Sequence, residues 1–289
     1  RNPIQPKHEL GDTPFRFNWQ TPILLSKHNQ DILYFGSNKL HQSFNRGDSW
    51  NLISEDLTFG GKKGNVAYGT ITSISESPFK FGLIYTGSDD GKVSLTQNGG
   101  ETWTTISDNF PKDLWVSRVV ASSHIKKRVY LTLNGYRNDD FNPYVYVSDD
   151  YGNTWKSITK VLPDSSVNVI YEDPKESNIL YLGNDIGTYI SINNGIKWEA
   201  FQKGLTTAAV HDVVVQSDSN DLVIGTHGRS IFKSNLDFIH SLNLKVLDKS
   251  IHLFDIKPIK FSKRWGSKRR AAGTVRELFN IRFSNLPNQ

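Results

Sequence analysis

Ser148-Asp149-Asp150-Tyr151-Gly152-Asn153-Thr154-Trp155 decides the fold, because three other stretches repeat it at the same offsets. They are Ser43-Phe44-Asn45-Arg46-Gly47-Asp48-Ser49-Trp50, Thr96-Gln97-Asn98-Gly99-Gly100-Glu101-Thr102-Trp103 and Ser191-Ile192-Asn193-Asn194-Gly195-Ile196-Lys197-Trp198. The shared positions are a Ser or Thr, then Asn or Asp, then Gly, then Trp, and the tryptophans lie 53, 52 and 43 residues apart. A period of roughly 40–50 residues marks a stacked or radial repeat architecture. The residue types predict a tight, self-bonded turn. Asn or Asp folds its side chain onto nearby backbone N–H groups, and Gly accepts left-handed angles. The Ser or Thr hydroxyl adds bonds across the turn. The indole covers apolar surface while its N–H seeks an acceptor.

Upstream of each motif run β-branched, apolar stretches that suit buried strands. A first strand is expected near 21–26, 70–75, 117–121, 167–171 and 210–215, and a second near 32–36, 83–87, 128–131, 179–183 and 222–225. Polar turns separate them. A third strand leads into the motif, and the Trp opens a fourth. Four antiparallel strands per unit is the layout of a β-propeller blade. The expectation is an all-β propeller of about five blades, either a small ring or part of a larger one. The fifth unit has lost the motif, since Lys233-Ser234-Asn235-Leu236-Asp237 has neither Gly nor Trp.

Composition narrows the function classes. The 289 residues are 37% hydrophobic and 22% charged, ordinary for a globular protein. Cysteine is absent, which excludes disulfides, thiol chemistry and thiolate metal sites. No apolar run approaches the roughly 18 residues that span a bilayer. The chain begins at Arg1 and has no methionine, so it reads as a piece of something longer. Its net charge of +5 is concentrated in the tail, where residues 257–289 carry nine Lys or Arg and one acid, leaving a mildly acidic body.

The Ser-x-Asp-x-Gly-x-Thr-Trp pattern resembles the Asp-box, or BNR repeat, of sialidases, xyloglucanase-type glycoside hydrolases and the sortilin ligand-binding domain. Residues 16–23 and the stretch Val210-His211-Asp212-Val213-Val214-Val215 with Asp221 to Ile231 resemble the C-terminal part of large bacterial BNR proteins labelled glycosyl hydrolase or sortilin-like. The resemblance covers roughly residues 11–256. It implies a propeller over 1–256, then a basic linker and the start of a truncated following domain over 257–289. The tail's mix of bases and aromatics also suits single-stranded nucleic acid, but the linker is the preferred reading and no nucleic-acid partner is expected. An extracellular or periplasmic location is expected. Strands left unpaired at an open ring edge would favour homo-oligomers.

In a propeller the functional face holds the loops entering each innermost strand and those joining strands two and three. That geometry nominates Trp19, Tyr68, Trp115, Arg118, His211, His227 and Arg229 for binding, with Gln20, Asn134, Tyr136 and Arg137 beside them. Asp89 and Asp185 are the catalytic candidates, since hydrolysis of glycosides needs two carboxylates; the competing reading makes both turn formers. Sialidase chemistry would want Arg118, Arg137 and Arg229 to converge near Tyr136, and no glutamate occupies these loops. His211 and His227 are expected to face each other across the ring; they lack a third ligand, so no metal is expected. Gly60-Gly61-Lys62-Lys63-Gly64 is no phosphate loop, for it has neither the following Ser/Thr nor a strand-to-helix context. No cofactor is expected. The residues Ser43, Asn45, Gly47, Trp50, Thr96, Asn98, Gly100, Trp103, Ser148, Asp150, Gly152, Trp155, Ser191, Asn193, Gly195 and Trp198 are assigned to structure, and a calcium role for Asp150 is disfavoured. The function expected is a propeller that binds a glycan or peptide on its central loop face. The alternatives are a glycoside hydrolase acting through carboxylates there and a sortilin-like protein-binding propeller.

Overall fold

A computed structural model describes residues 4–202, 204–205, 207–242, 246, 251 and 253. The 257–289 tail lies outside the described residues. Five antiparallel sheets follow one another in the chain, each strand pairing with the next. Blade 1 is β1 (Ile23–Leu25), β2 (Leu33–Gly36), β3 (Leu40–Ser43) and β4 (Asn51–Leu52). Blade 2 is β5 (Ile71–Glu76), β6 (Ile84–Ser88), β7 (Val93–Thr96) and β8 (Thr104–Thr105). Blade 3 is β9 (Trp115–Ala121), β10 (Val129–Gly135), β11 (Asp140–Ser148) and β12 (Lys156–Ser157). Blade 4 is β13 (Val167–Glu172), β14 (Leu180–Asn184), β15 (Gly187–Ser191) and β16 (Glu199–Ala200). Blade 5 has three strands, β17 (Val210–Gln216), β18 (Asp221–Thr226) and β19 (Ile231–Asn235), and continues into a short helix α1 (Asp237–Ser241). The fold is an all-β propeller.

Successive first strands pack together, β5 against β9, β9 against β13 and β13 against β17. Close approach is allowed by small residues in the second strands. A Cβ on Gly183 would lie 2.5 Å from Val210 Cγ1 of the next blade. The cores therefore lie between blades. One joins Leu83, Tyr85 and Val93 of blade 2 to Val119, Val129 and Leu131 of blade 3. Another joins blades 4 and 5 and includes Leu236, Ile239 and Leu242, which follow the third and last strand of blade 5 among the described residues.

Each of the first four blades buries one second-strand tyrosine: Tyr34, Tyr85, Tyr130 and Tyr181. A buried phenol needs an acceptor. Tyr34 Oη donates to Glu76 of blade 2 at 2.8 Å, and Tyr130 Oη to Glu172 of blade 4 at 3.0 Å. Glu76 and Glu172 also accept Ser26 Oγ at 2.6 Å and Ser122 Oγ at 2.9 Å, so two blade junctions carry the same clamp. Tyr181 instead donates to Asp173 of its own blade, which His240 of α1 also meets at 2.8 Å. At the junction of blades 2 and 3, Ala121 ends the first strand where Glu76 and Glu172 end theirs, and Tyr85 Oη is left without a partner.

The four hairpins are nearly superimposable in their bonding. Ser43, Thr96, Ser148 and Ser191 hydroxyls donate to the Asn or Asp two residues on at 2.7–2.9 Å. The same hydroxyls accept the N–H of Gly47, Gly100, Gly152 and Gly195 at 2.8–3.0 Å. Gly152 has φ 88°, and a Cβ there would meet Ile106 Cδ1 at 2.5 Å. The indoles of Trp103, Trp155 and Trp198 donate to the carbonyls of Ile53, Ile106 and Ile158, the residue that follows the fourth strand of the preceding blade. Trp50 does the same to Ile4 at 2.7 Å, so the N-terminal segment takes the place of a preceding blade's last strand. That segment also lays Phe15 against buried His41 at 4.6 Å. Burial drives the His41 pKa down to about 4.

Candidate functional site

A cleft of about 790 Å³ opens on the propeller axis and is lined from all five blades. Its shape follows from an irregularity repeated in the first strands. The pairing register shifts between Ile71 and Ser73, Val116 and Arg118, Val167 and Val169, and Val210 and Asp212. One residue is thus extra in each of β5, β9, β13 and β17, and such bulges re-aim a side chain. The four extra residues are Thr72, Ser117, Asn168 and His211, and all line the cleft.

Two of the four bulged side chains secure the scaffold. Thr72 Oγ1 donates to Val116 O at 2.7 Å and Ser117 Oγ to Val167 O at 2.7 Å, each reaching the next blade's first strand. The other two build the site. Asn168 Nδ2 donates to Asp185 Oδ1 at 2.8 Å, while its Oδ1 accepts Asn134 Nδ2 at 2.8 Å. His211 stacks on His227 with ring centroids 5.2 Å apart. The two histidines belong to one blade, on paired strands, so they do not face each other across the ring as the sequence led us to expect. Burial lowers the His211 pKa, His227 lowers it further, and Asp185 opposes both.

Blade 3 supplies two arginines. Arg118 Nη2 crosses to Asp212 of blade 5 at 2.9 Å, while its Nε is buried without a partner. Arg137 follows β10 in a tight turn at Tyr136–Asn138, and its guanidinium lies over the Trp115 ring, 4.1 Å from the centroid. Stacking of this kind holds the guanidinium plane and leaves its edge free to donate. Arg137 makes no hydrogen bond or ion pair with the described residues. Gln20, Asn134 and Tyr136 complete the polar wall.

The predicted residues therefore divide. Trp115, Arg118, His211, His227 and Asp185 line the cleft, while Trp19, Tyr68, Arg229 and Asp89 do not. Trp19, adjacent to Gln20, is 81% exposed at the rim. Tyr68 bonds Asp113, which also takes Lys62 at 2.8 Å, forming a latch between loops. Arg229 is exposed, with no partner among the described residues. Asp89 is buried, accepting Thr70 N at 2.8 Å and Thr70 Oγ1 at 2.7 Å, and burial pushes its carboxyl up. Its neighbour Asp90 accepts Phe59 N at 2.7 Å. Asp185 is then the one carboxylate among the lining residues. Without Arg229, the three arginines a sialidase wants do not converge. Among the described residues no cluster of three metal-ligating side chains occurs, and no helix is long and apolar enough to cross a membrane. Sequence reading missed Asn168 and Thr72, because the bulges that turn them into the cleft are a matter of pairing register.

No protein-family model and no curated protein matches the chain. Many solved structures share the fold. A GH74 xyloglucanase from Xanthomonas campestris is similar at 14% identity with a TM-score of 0.60, over 76% of this chain and 37% of its own. An ancestral GH74 enzyme is similar at 16% identity and a TM-score of 0.57, over 74% of this chain and 28% of its own. YCF48, solved bound to D1 peptide, is similar at 14% identity and a TM-score of 0.50, over 78% of this chain and 70% of its own. The chain thus spans well under half the length of either GH74 enzyme.

Proposed function

We propose that this chain is a binding propeller of the Asp-box kind, which takes a glycan or peptide in its axial cleft without hydrolysing it. The observation that carries the reading is the character of the lining: two arginines, two histidines and several amides around a single carboxylate. Two-carboxylate hydrolysis needs a second acid facing the same cleft, and Asp89 is engaged in holding Thr70. Solved propellers of this fold include both GH74 enzymes and a peptide complex, so the fold leaves the choice to the cleft. A sortilin-like reading would be favoured by an apolar tunnel, and here Arg118, Arg137, His211, His227 and Asp185 interrupt the apolar wall of Ile23, Leu24 and Ile74. We further propose that the chain works outside the cytoplasm as part of an exported bacterial protein, with 257–289 joining it to a following domain.

The test is a glycan and peptide array probed with the protein, alongside hydrolysis assays on xyloglucan and sialosides. Binding without turnover is expected. Turnover that disappears in Asp185→Asn would establish the hydrolase reading, which Asp185's place in the cleft makes the one to exclude.

A further inference from the structure

Resting on that binding reading, we propose that the ligand is a peptide whose carboxylate docks at blade 3, on the free edge of Arg137 beside Arg118. One arginine of the cleft has no anion among the described residues. Lys62, Arg16, Arg46, Arg118, Arg128 and Lys233 are all paired with carboxylates. Arg137 sits at the cleft without one, although the side chain is held in place by the Trp115 ring. A guanidinium fixed in plane, with its fork open, matches the two oxygens of a carboxylate, and ordering it beforehand lowers the entropy lost on binding. Arg118, paired with Asp212, places a second guanidinium on the same blade.

The arrangement favours peptide over sugar. A pyranose wants an open aromatic face; Arg137 covers one face of Trp115, the cleft's one tryptophan, and the other lining aromatic, Tyr136, is engaged edge-to-face with Phe141. Asn134 and Asn168 each spend one N–H and one carbonyl lone pair on internal bonds, which leaves each a second donor and a second acceptor for a peptide backbone. Asn134 is fixed by Tyr136 N at 2.9 Å and by Asn168, which is fixed in turn by Asp185. Asp185 belongs to blade 4, so its charge steers an anion toward the arginines of blade 3.

The experiment is an NMR titration of the protein with four probes, following the Arg137 Nε–H and Trp115 indole N–H. Acetyl-triglycine carries a terminal carboxylate and acetyl-Gly-Glu-Gly-amide a side-chain one. Acetyl-Gly-Gln-Gly-amide is the neutral control, and trigalacturonate is the acidic sugar. Shifts with either acidic peptide, weaker by about tenfold or more for the neutral control and for Arg137→Gln, are expected. Arg137→Lys, which keeps the charge and loses the fork, should recover only part of the affinity. Equal binding of the Glu and Gln peptides would overturn the carboxylate and leave the cleft reading standing. Response to trigalacturonate alone would overturn the peptide. Silence to all four, with an empty array, would overturn both.

Discussion

The two ends of the blades obey opposite rules. At the hairpin end, four turns from four blades make the same bonds with the same atoms, from hydroxyl to amide or acid, glycine N–H to hydroxyl, and indole to a backbone carbonyl, of the preceding blade in three and of the N-terminal segment in the first. At the axial cleft, the equivalent positions hold Thr72, Ser117, Asn168 and His211; the first two make the same bond to the next blade's first strand, and the last two depart from it. Identity under repetition is what a shared packing problem produces. The departure at Asn168 and His211 is not required by that packing, and it locates the part of the molecule shaped for something outside it.

The largest effect should come from removing a hairpin indole. Trp198 is 3% exposed and bonded to Ile158 O at 2.7 Å, so Trp198→Ala should lose about 3–5 kcal/mol in urea unfolding. A loss below 1 kcal/mol would deny the hairpins their structural role. The next effect compares two equivalent tyrosines. Tyr34→Phe leaves buried Glu76 short of a donor and should cost about 1–3 kcal/mol, whereas Tyr85→Phe removes a hydroxyl that has no partner and should be neutral or stabilising. Equal costs would mean the clamp contributes nothing.

A third effect is read by pH. His41 titrates near 4 in the folded protein, below its ordinary 6.5, so the unfolded chain takes the proton first. The contribution of neutral His41 is complete above pH 6.5 and is lost as pH falls toward 4, at up to about 1.4 kcal/mol per pH unit. Melting curves for His41→Phe should lack that slope. If the slope survives, another group causes it. The smallest stability effect belongs to the cleft: Arg137→Gln should stay within about 0.5 kcal/mol of the parent, while changing what the protein binds.

Much of the fold was legible because it repeats. The spacing of Trp50, Trp103, Trp155 and Trp198 gave the number of hairpins, and β-branched runs gave the first and second strands to within a residue or two, except β10, which runs four residues past its expected end. The cleft was legible only in outline. Loop position nominated Trp115, Arg118, His211, His227 and Asp185, which line the cleft, since those loops lie near the axis in any propeller. It nominated Trp19, Tyr68, Arg229 and Asp89 on the same grounds, and nothing local distinguishes them. Asp89 is drawn down onto Thr70 and Tyr68 out toward Asp113, and both depend on neighbours from other parts of the chain. Asn168 escaped notice because a bulge is a matter of pairing register, which a single strand's sequence does not display.

The most direct test sets one end against the other in a single binding assay on the array's best ligand. Asp150→Asn makes the third hairpin like the other three, and Asn168→Ala with His211→Ala strips the bulged residues from the cleft. The account predicts parental affinity for the first protein and loss of binding for the second, with both folded by circular dichroism. Loss of affinity in Asp150→Asn, or its retention when the cleft is stripped, would contradict it.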